Sequence, residues 1–104
     1  MDNFKTVYRI LNFLKKSEQF DEFDDESFTA EYFGLTDRQW VSTLERMIDD
    51  SHVKGVSVRY GADDYAMLGI SHPRITTKGL EYLEENSLMQ KAAQFAKGIR
   101  EILP

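Results

Sequence analysis

Arg38, Ser42 and Arg46, spaced four apart, are the residues of this 104-residue chain best suited to recognition chemistry. On a helix that spacing puts them on one face, where two guanidiniums and a hydroxyl suit base edges and phosphate oxygens. Arg59, in a strand pattern, would reach a phosphate or the minor groove from the side. Arrangements suited to catalysis are missing by comparison. The chain has no cysteine, no glycine-rich phosphate loop, and no His-x-x-x-His or Cys/His cluster at metal-ligand spacing. His52 at a helix-to-strand junction and His72 before Pro73 stand alone, each expected to be solvent-facing or locally hydrogen-bonded. The carboxylates read as surface charge. The acidic run Glu18 to Glu26 invites comparison with a calcium loop, but it lacks the glycine that such a loop needs at its sixth position. No catalytic residue, metal ligand, cofactor or small-molecule substrate is expected, and the chain is read as a non-enzyme.

Charge qualifies the case for DNA. The net charge of −5 is unevenly spread. Residues 1–17 carry Lys5, Arg9, Lys15 and Lys16 against Asp2, whereas 18–33 hold seven acids and no base. Asp37, Glu45, Asp49 and Asp50 outnumber Arg38 and Arg46 on the helix that presents them, and Asp63 and Asp64 fall in the turn beyond Arg59. Affinity for DNA comes largely from neutralised phosphates. Two or three arginines must therefore overcome local repulsion.

The elements that position these residues follow from apolar spacing. Phe4, Val7, Leu11 and Leu14, widened by Tyr8 and Ile10, predict an amphipathic helix from about Asn3 to Ser17. In the acidic loop that follows, Phe20 and Phe23 are expected to tuck under and hold it to the body. Ser27 to Phe33 reads as a short helix, with Gly34-Leu35 as its exit turn. Thr36 and Gln39 form a capping box for a helix over 36–50 that buries Trp40, Leu44, Met47 and Ile48. Ala30, Gly34 and Trp40 supply the small crossing residue, turn glycine and apolar anchor of a helix-turn-helix.

After Asp50-Ser51-His52 the apolar period changes to two. Val56, Val58 and Tyr60 predict one strand, 61–64 a turn, and 65–70 the returning strand, which Ser71-His72-Pro73 breaks before Arg74-Ile75 resume pairing. Thr76 or Thr77 caps a further helix with Leu80, Tyr82 and Leu83, in whose first turn Gly79 is expected to permit a close backbone approach. Asn86-Ser87 is expected to interrupt it. A last helix over 87–103 carries the seam Leu88, Ala92, Phe95, Ile99 and Ile102, with Met89 and Ala96 beside it. No apolar run approaches the ~20 residues that span a bilayer, and the absence of cysteine suits a reducing compartment. A cytoplasmic protein without a membrane role is expected.

The order helix, helix-turn-helix, hairpin, helix is that of a winged helix. The expected fold is α+β: one winged helix-turn-helix domain over 1–104, with a three-helix core, a β-hairpin wing and additional C-terminal helices. The chain also resembles the YjcQ family of small winged-helix proteins of Gram-positive bacteria and their phages. The likeness covers essentially the whole length and is most specific in Lys54-Gly-Val-Ser-Val and in Pro73-Arg-Ile-Thr-Thr-Lys-Gly-Leu-Glu-Tyr-Leu-Glu-Glu-Asn-Ser. The resemblance implies a cytoplasmic bacterial or phage protein and carries no activity to particular residues.

Three roles stay open at this level. A protein-contact module is favoured over duplex-DNA binding on the acidity of helix 36–50. The alternative is a sequence-specific DNA-binding regulator that uses helix 36–50 and wing 55–70, through Arg38, Ser42, Arg46 and Arg59. The seam Leu88, Met89, Ala92, Phe95, Ala96, Ile99 and Ile102 is the candidate interface with a partner or a second copy. Packing of that seam on the first helix is preferred, since so small a chain needs both to close its core. The third role is a basic face, if Lys5, Arg9 and Lys16 join Lys91, Lys97 and Arg100.

Overall fold

In the computed structural model, which describes residues 3–63 and 66–87, the first apolar stripe becomes helix α1, Asn3–Ser17. Val7, Ile10, Leu11 and Leu14 are buried, while Phe4 stays 40% exposed and rests on Tyr82, ring centroids 5.9 Å apart. Helix α2, Asp37–Asp49, starts at the expected cap. The Gln39 N–H donates to Thr36 Oγ1 at 3.1 Å, and the Thr36 N–H donates to Gln39 Oε1 at 3.0 Å. Two otherwise orphaned donors are thereby satisfied. Trp40, Thr43, Leu44 and Met47 face inward.

Between these helices the structure departs from expectation. Residues 27–33 form successive turns and bends in place of a short helix. Local side chains tie down backbone N–H groups of the segment. Asp24 accepts from the Ser27 N–H and hydroxyl at 3.2 and 2.7 Å, and Thr29 Oγ1 accepts from the Tyr32 N–H at 3.2 Å. What holds the segment down is an aromatic cluster. Phe23 and Phe28 pack on Phe13 of α1, while Phe28 and Phe33 also pack on Trp40 of α2. Phe20 does not tuck under; it is 70% exposed.

Strand β1, Val53–Tyr60, pairs antiparallel with β2, Ala66–Ile75. Val56, Val58 and Tyr60 stand opposite Ile70, Leu68 and Ala66 on one face, while Ser57 and Arg59 stand opposite Gly69 and Met67 on the other. Pairing begins at Val53, earlier than the alternation indicates, because Val53 and Lys54 meet Ile75 and Arg74. The expected break is a shift of register: between Lys54 and Val56, β2 runs from Arg74 to Ile70. The extra residues loop out around His72, whose φ is +52°.

Residues 77–87 are helical and are called α3. Thr76 is its cap, accepting from the Gly79 N–H at 3.0 Å. The close approach at Gly79 is real, since a Cβ there would lie 2.3 Å from the His52 carbonyl oxygen. The interruption expected at Asn86-Ser87 is absent: both residues are helical, and Asn86 Nδ2 donates to the Tyr82 carbonyl at 2.7 Å one turn back. Leu83 of α3, Val53, Val56 and Ile75 of the hairpin, and the buried faces of α1 and α2 share one apolar cluster with Phe28, Ala30 and Phe33. The architecture is α+β. Among the described residues no helix is long and apolar enough to cross a membrane.

Candidate recognition surface

The outward face of α2 follows from what it buries. With Trp40, Thr43, Leu44 and Met47 turned to the core, Arg38, Ser42 and Arg46 are exposed in a row. The same helical period places acids among them. Glu45 lies seven residues beyond Arg38, and Asp49 seven beyond Ser42, nearly two full turns in each case. Each acid therefore shares an azimuth with a member of that row. No lysine or arginine of the described residues pairs with these acids; Arg74–Glu18, at 3.8 Å, is the salt bridge found among those residues.

The hairpin leans on the acidic part of this face. The Tyr60 hydroxyl donates to Glu45 Oε2, which joins the end of β1 to the middle of α2. The bond to the Glu45 carboxylate raises the Tyr60 pKa above its ordinary value of 10.0; desolvation and then the charges of Glu45 and Asp49 add to it. A phenol next to two carboxylates resists becoming a third anion. Asp63, in the described part of the hairpin turn, is exposed as well.

Arg59 is not brought to this face. Its register position opposite Met67 lies on the side of the hairpin away from Tyr60. Arg38, Ser42 and Arg46 thus form one group and Arg59 stands apart. Leu88, Met89, Ala92, Phe95, Ala96, Ile99 and Ile102 lie outside the described residues, as do Lys91, Lys97 and Arg100. Of the first-helix cations, Lys5 and Lys16 are exposed. Arg9 is partly committed, with Nη1 donating to the Phe33 carbonyl at 3.4 Å and its guanidinium 5.7 Å from the Phe33 ring centroid.

The histidines have different surroundings. His72 is exposed in the bulge. His52 is half-buried with its ring 4.6 Å from that of Tyr82, and its Nδ1 is shielded with no hydrogen-bond partner. It is neither solvent-facing nor locally hydrogen-bonded through that atom. Among the described residues no three His, Cys, Asp or Glu side chains gather as metal ligands would. The Tyr60–Glu45 contact was open to inference, because strand alternation puts Tyr60 on the same side as Val56 and Val58. The exposure of Phe20 carried no such signal, since Phe20 and Phe23 share one loop and one chemistry.

A family model described as YjcQ protein matches residues 8–102. No curated protein and no solved structure matches the chain.

Proposed function

The chain belongs to the YjcQ family, and from that premise we propose a non-catalytic recognition or regulatory module of winged-helix type that contacts protein in preference to duplex DNA. The element order supports the winged-helix reading. α1, the turns at 27–33, α2, the β1–β2 hairpin and α3 follow one another as the helices and wing of that fold do. In this reading α2 takes the place of the recognition helix, and a bacterial or phage cytoplasm is its setting.

The observation that carries the preference for protein is the placing of Glu45. Its carboxylate sits where helix and wing meet and accepts from Tyr60, with Asp49 near enough to influence the same phenol. A duplex seated against α2 and the hairpin would bring phosphates toward both carboxylates, opposing the charge neutralisation that supplies DNA affinity. Fold alone does not decide function. The second reading, a DNA-binding regulator using helix 36–50 and wing 55–70, draws on the exposed row of Arg38, Ser42 and Arg46.

Anisotropy of a labelled random-sequence duplex at low salt separates the two. The expected result, once salt is raised to the physiological level, is binding no tighter than about 10⁻⁴ M, the weak end of the non-specific range there, and indifferent at either salt to Arg38→Ala and Arg46→Ala. Micromolar binding that both substitutions abolish, with a steep salt dependence, reverses the preference.

A further inference from the structure

Past the end of α1 the chain bends at 20–22 and leaves Phe20 70% exposed. The ring borders an open groove of about 500 Å³, lined also by Phe13, Lys16, Ser17, Asp21, Glu22 and Asp24. Phe23 has taken the place against Phe13, centroids 5.9 Å apart, so Phe20 has no ring partner among the described residues. Phe13 is held from behind by Phe28 at 5.8 Å and Phe33 at 5.7 Å. The apolar floor is therefore fixed in advance, and binding there would need little reordering.

A single exposed ring is ordinary on a protein surface. Its electrostatic setting is what singles this one out. Residues 18–33 carry seven acids and no base. Asp24 is engaged by Ser27 and Glu18 faces Arg74, whereas Asp21 and Glu22 have no ion pair among the described residues. Lys16 is the one base lining the groove and is outnumbered by Asp21, Glu22 and Asp24, so an apolar step under a net-negative rim matches a cationic segment that carries an apolar side chain.

We infer that this groove docks a basic segment of a protein partner. Lysines or arginines of the segment face Asp21 and Glu22, and a large apolar side chain lies against Phe20 and Phe13. The inference rests on the protein-recognition reading above and names the partner's chemistry. It does not use the outer face of α2, so the two can fail separately.

The test uses the full chain and two synthetic peptides of equal positive charge. One is lysine-rich with a central Leu-Phe pair; the other has alanines in place of the pair. Calorimetry at low salt should show the first binding at least about tenfold tighter than the second. Phe20→Ala should erase that difference, and Asp21→Asn with Glu22→Gln should weaken both peptides by about tenfold. These side chains are exposed, and an unchanged circular-dichroism melt will show that the variants fold. Equal affinity for the two peptides, or a difference that survives Phe20→Ala, overturns the inference. So does self-association of the wild type that Phe20→Ala abolishes, which would make the occupant a second copy. Micromolar duplex binding lost in Arg38→Ala would defeat the protein-recognition reading and leave the peptide result to judge the groove itself.

Discussion

The Tyr60 hydroxyl donates to Oε2 of Glu45, fifteen positions away in sequence, and this bond links the end of β1 to α2. Ionising the phenol destroys the bond and adds a charge beside Glu45 and Asp49, which is why the Tyr60 pKa lies above 10.0. The sign follows. The folded state holds this proton more tightly than the unfolded chain does. The contact supports the fold fully below pH 10.0 and is lost as pH rises through the raised folded value. Glu45→Gln should return the Tyr60 titration toward its ordinary position. Phenolate absorbance, with Tyr60→Phe subtracted to isolate one of the five tyrosines, reads this directly. An unmoved titration curve in Glu45→Gln would mean that the bond does not persist in solution. Because Tyr60 is exposed, Tyr60→Phe should barely shift the thermal midpoint at neutral pH.

Two glycines separate strain from collision. Gly34 has φ +70° and open space where a Cβ would go, whereas Gly55 has φ +79° and would put a Cβ 2.3 Å from the His72 carbonyl oxygen. Gly34→Ala should cost about 1–2 kcal/mol, the left-handed penalty alone. Gly55→Ala must in addition displace β2 backbone at the bulge, for a loss of roughly 3 kcal/mol or more. Urea unfolding with an unchanged slope measures both. Equal losses would show that the bulge yields easily and that His72 is not pinned there.

The contrast between these sites mirrors what the residues disclosed before the fold was known. α1 and the start of α2 were legible because apolar spacing and the Thr36–Gln39 box are local signals, complete within one or two turns. The interruption of pairing near Pro73 was legible too, through the missing N–H of proline. The turns at 27–33 were not. Their aromatic and small residues suit a helix equally well, and what pins the turns lies partly outside the segment: Asp24 accepts from the Ser27 N–H, and Trp40 meets Phe28 and Phe33. Within the candidate surface, the row Arg38, Ser42 and Arg46 was readable from helical period. That Arg59 stands on the other face follows from strand parity, once β1 is known to turn Tyr60 toward α2.

Trp40 should be the residue whose truncation is felt most widely. It is 6% exposed, stacks on Phe33 with centroids 5.4 Å apart and planes at 15°, and meets Phe28 edge-on at 5.0 Å. It thus joins the irregular segment to α2. Trp40→Ala should lower stability by about 3–5 kcal/mol, whereas Phe20→Ala, in the loop that follows α1, should stay within about 0.5 kcal/mol. Urea denaturation followed by far-UV circular dichroism compares them. Similar losses would place Phe20 inside the aromatic cluster in solution.

The last prediction concerns the charge on α2. Arg38 and Arg46 are exposed and have no ion pair among the described residues, so they are available to a phosphate. What opposes them is Glu45 and Asp49. A unit charge about 10 Å from a phosphate in water contributes about 0.4 kcal/mol. Two carboxylates facing several phosphates therefore oppose binding by roughly 1–2 kcal/mol, or about tenfold. Glu45→Gln with Asp49→Asn should tighten random-duplex binding by that factor at low salt, and the gain should fade as salt rises. Glu45→Gln also weakens the Tyr60 contact, so Tyr60→Phe serves as the control, breaking the bond without changing charge. A gain in the acid-to-amide variant and none in Tyr60→Phe assigns the effect to electrostatics. If that gain is then lost on adding Arg38→Ala, α2 has a DNA-shaped face held shut by its own carboxylates; if affinity never moves, no duplex approaches this helix.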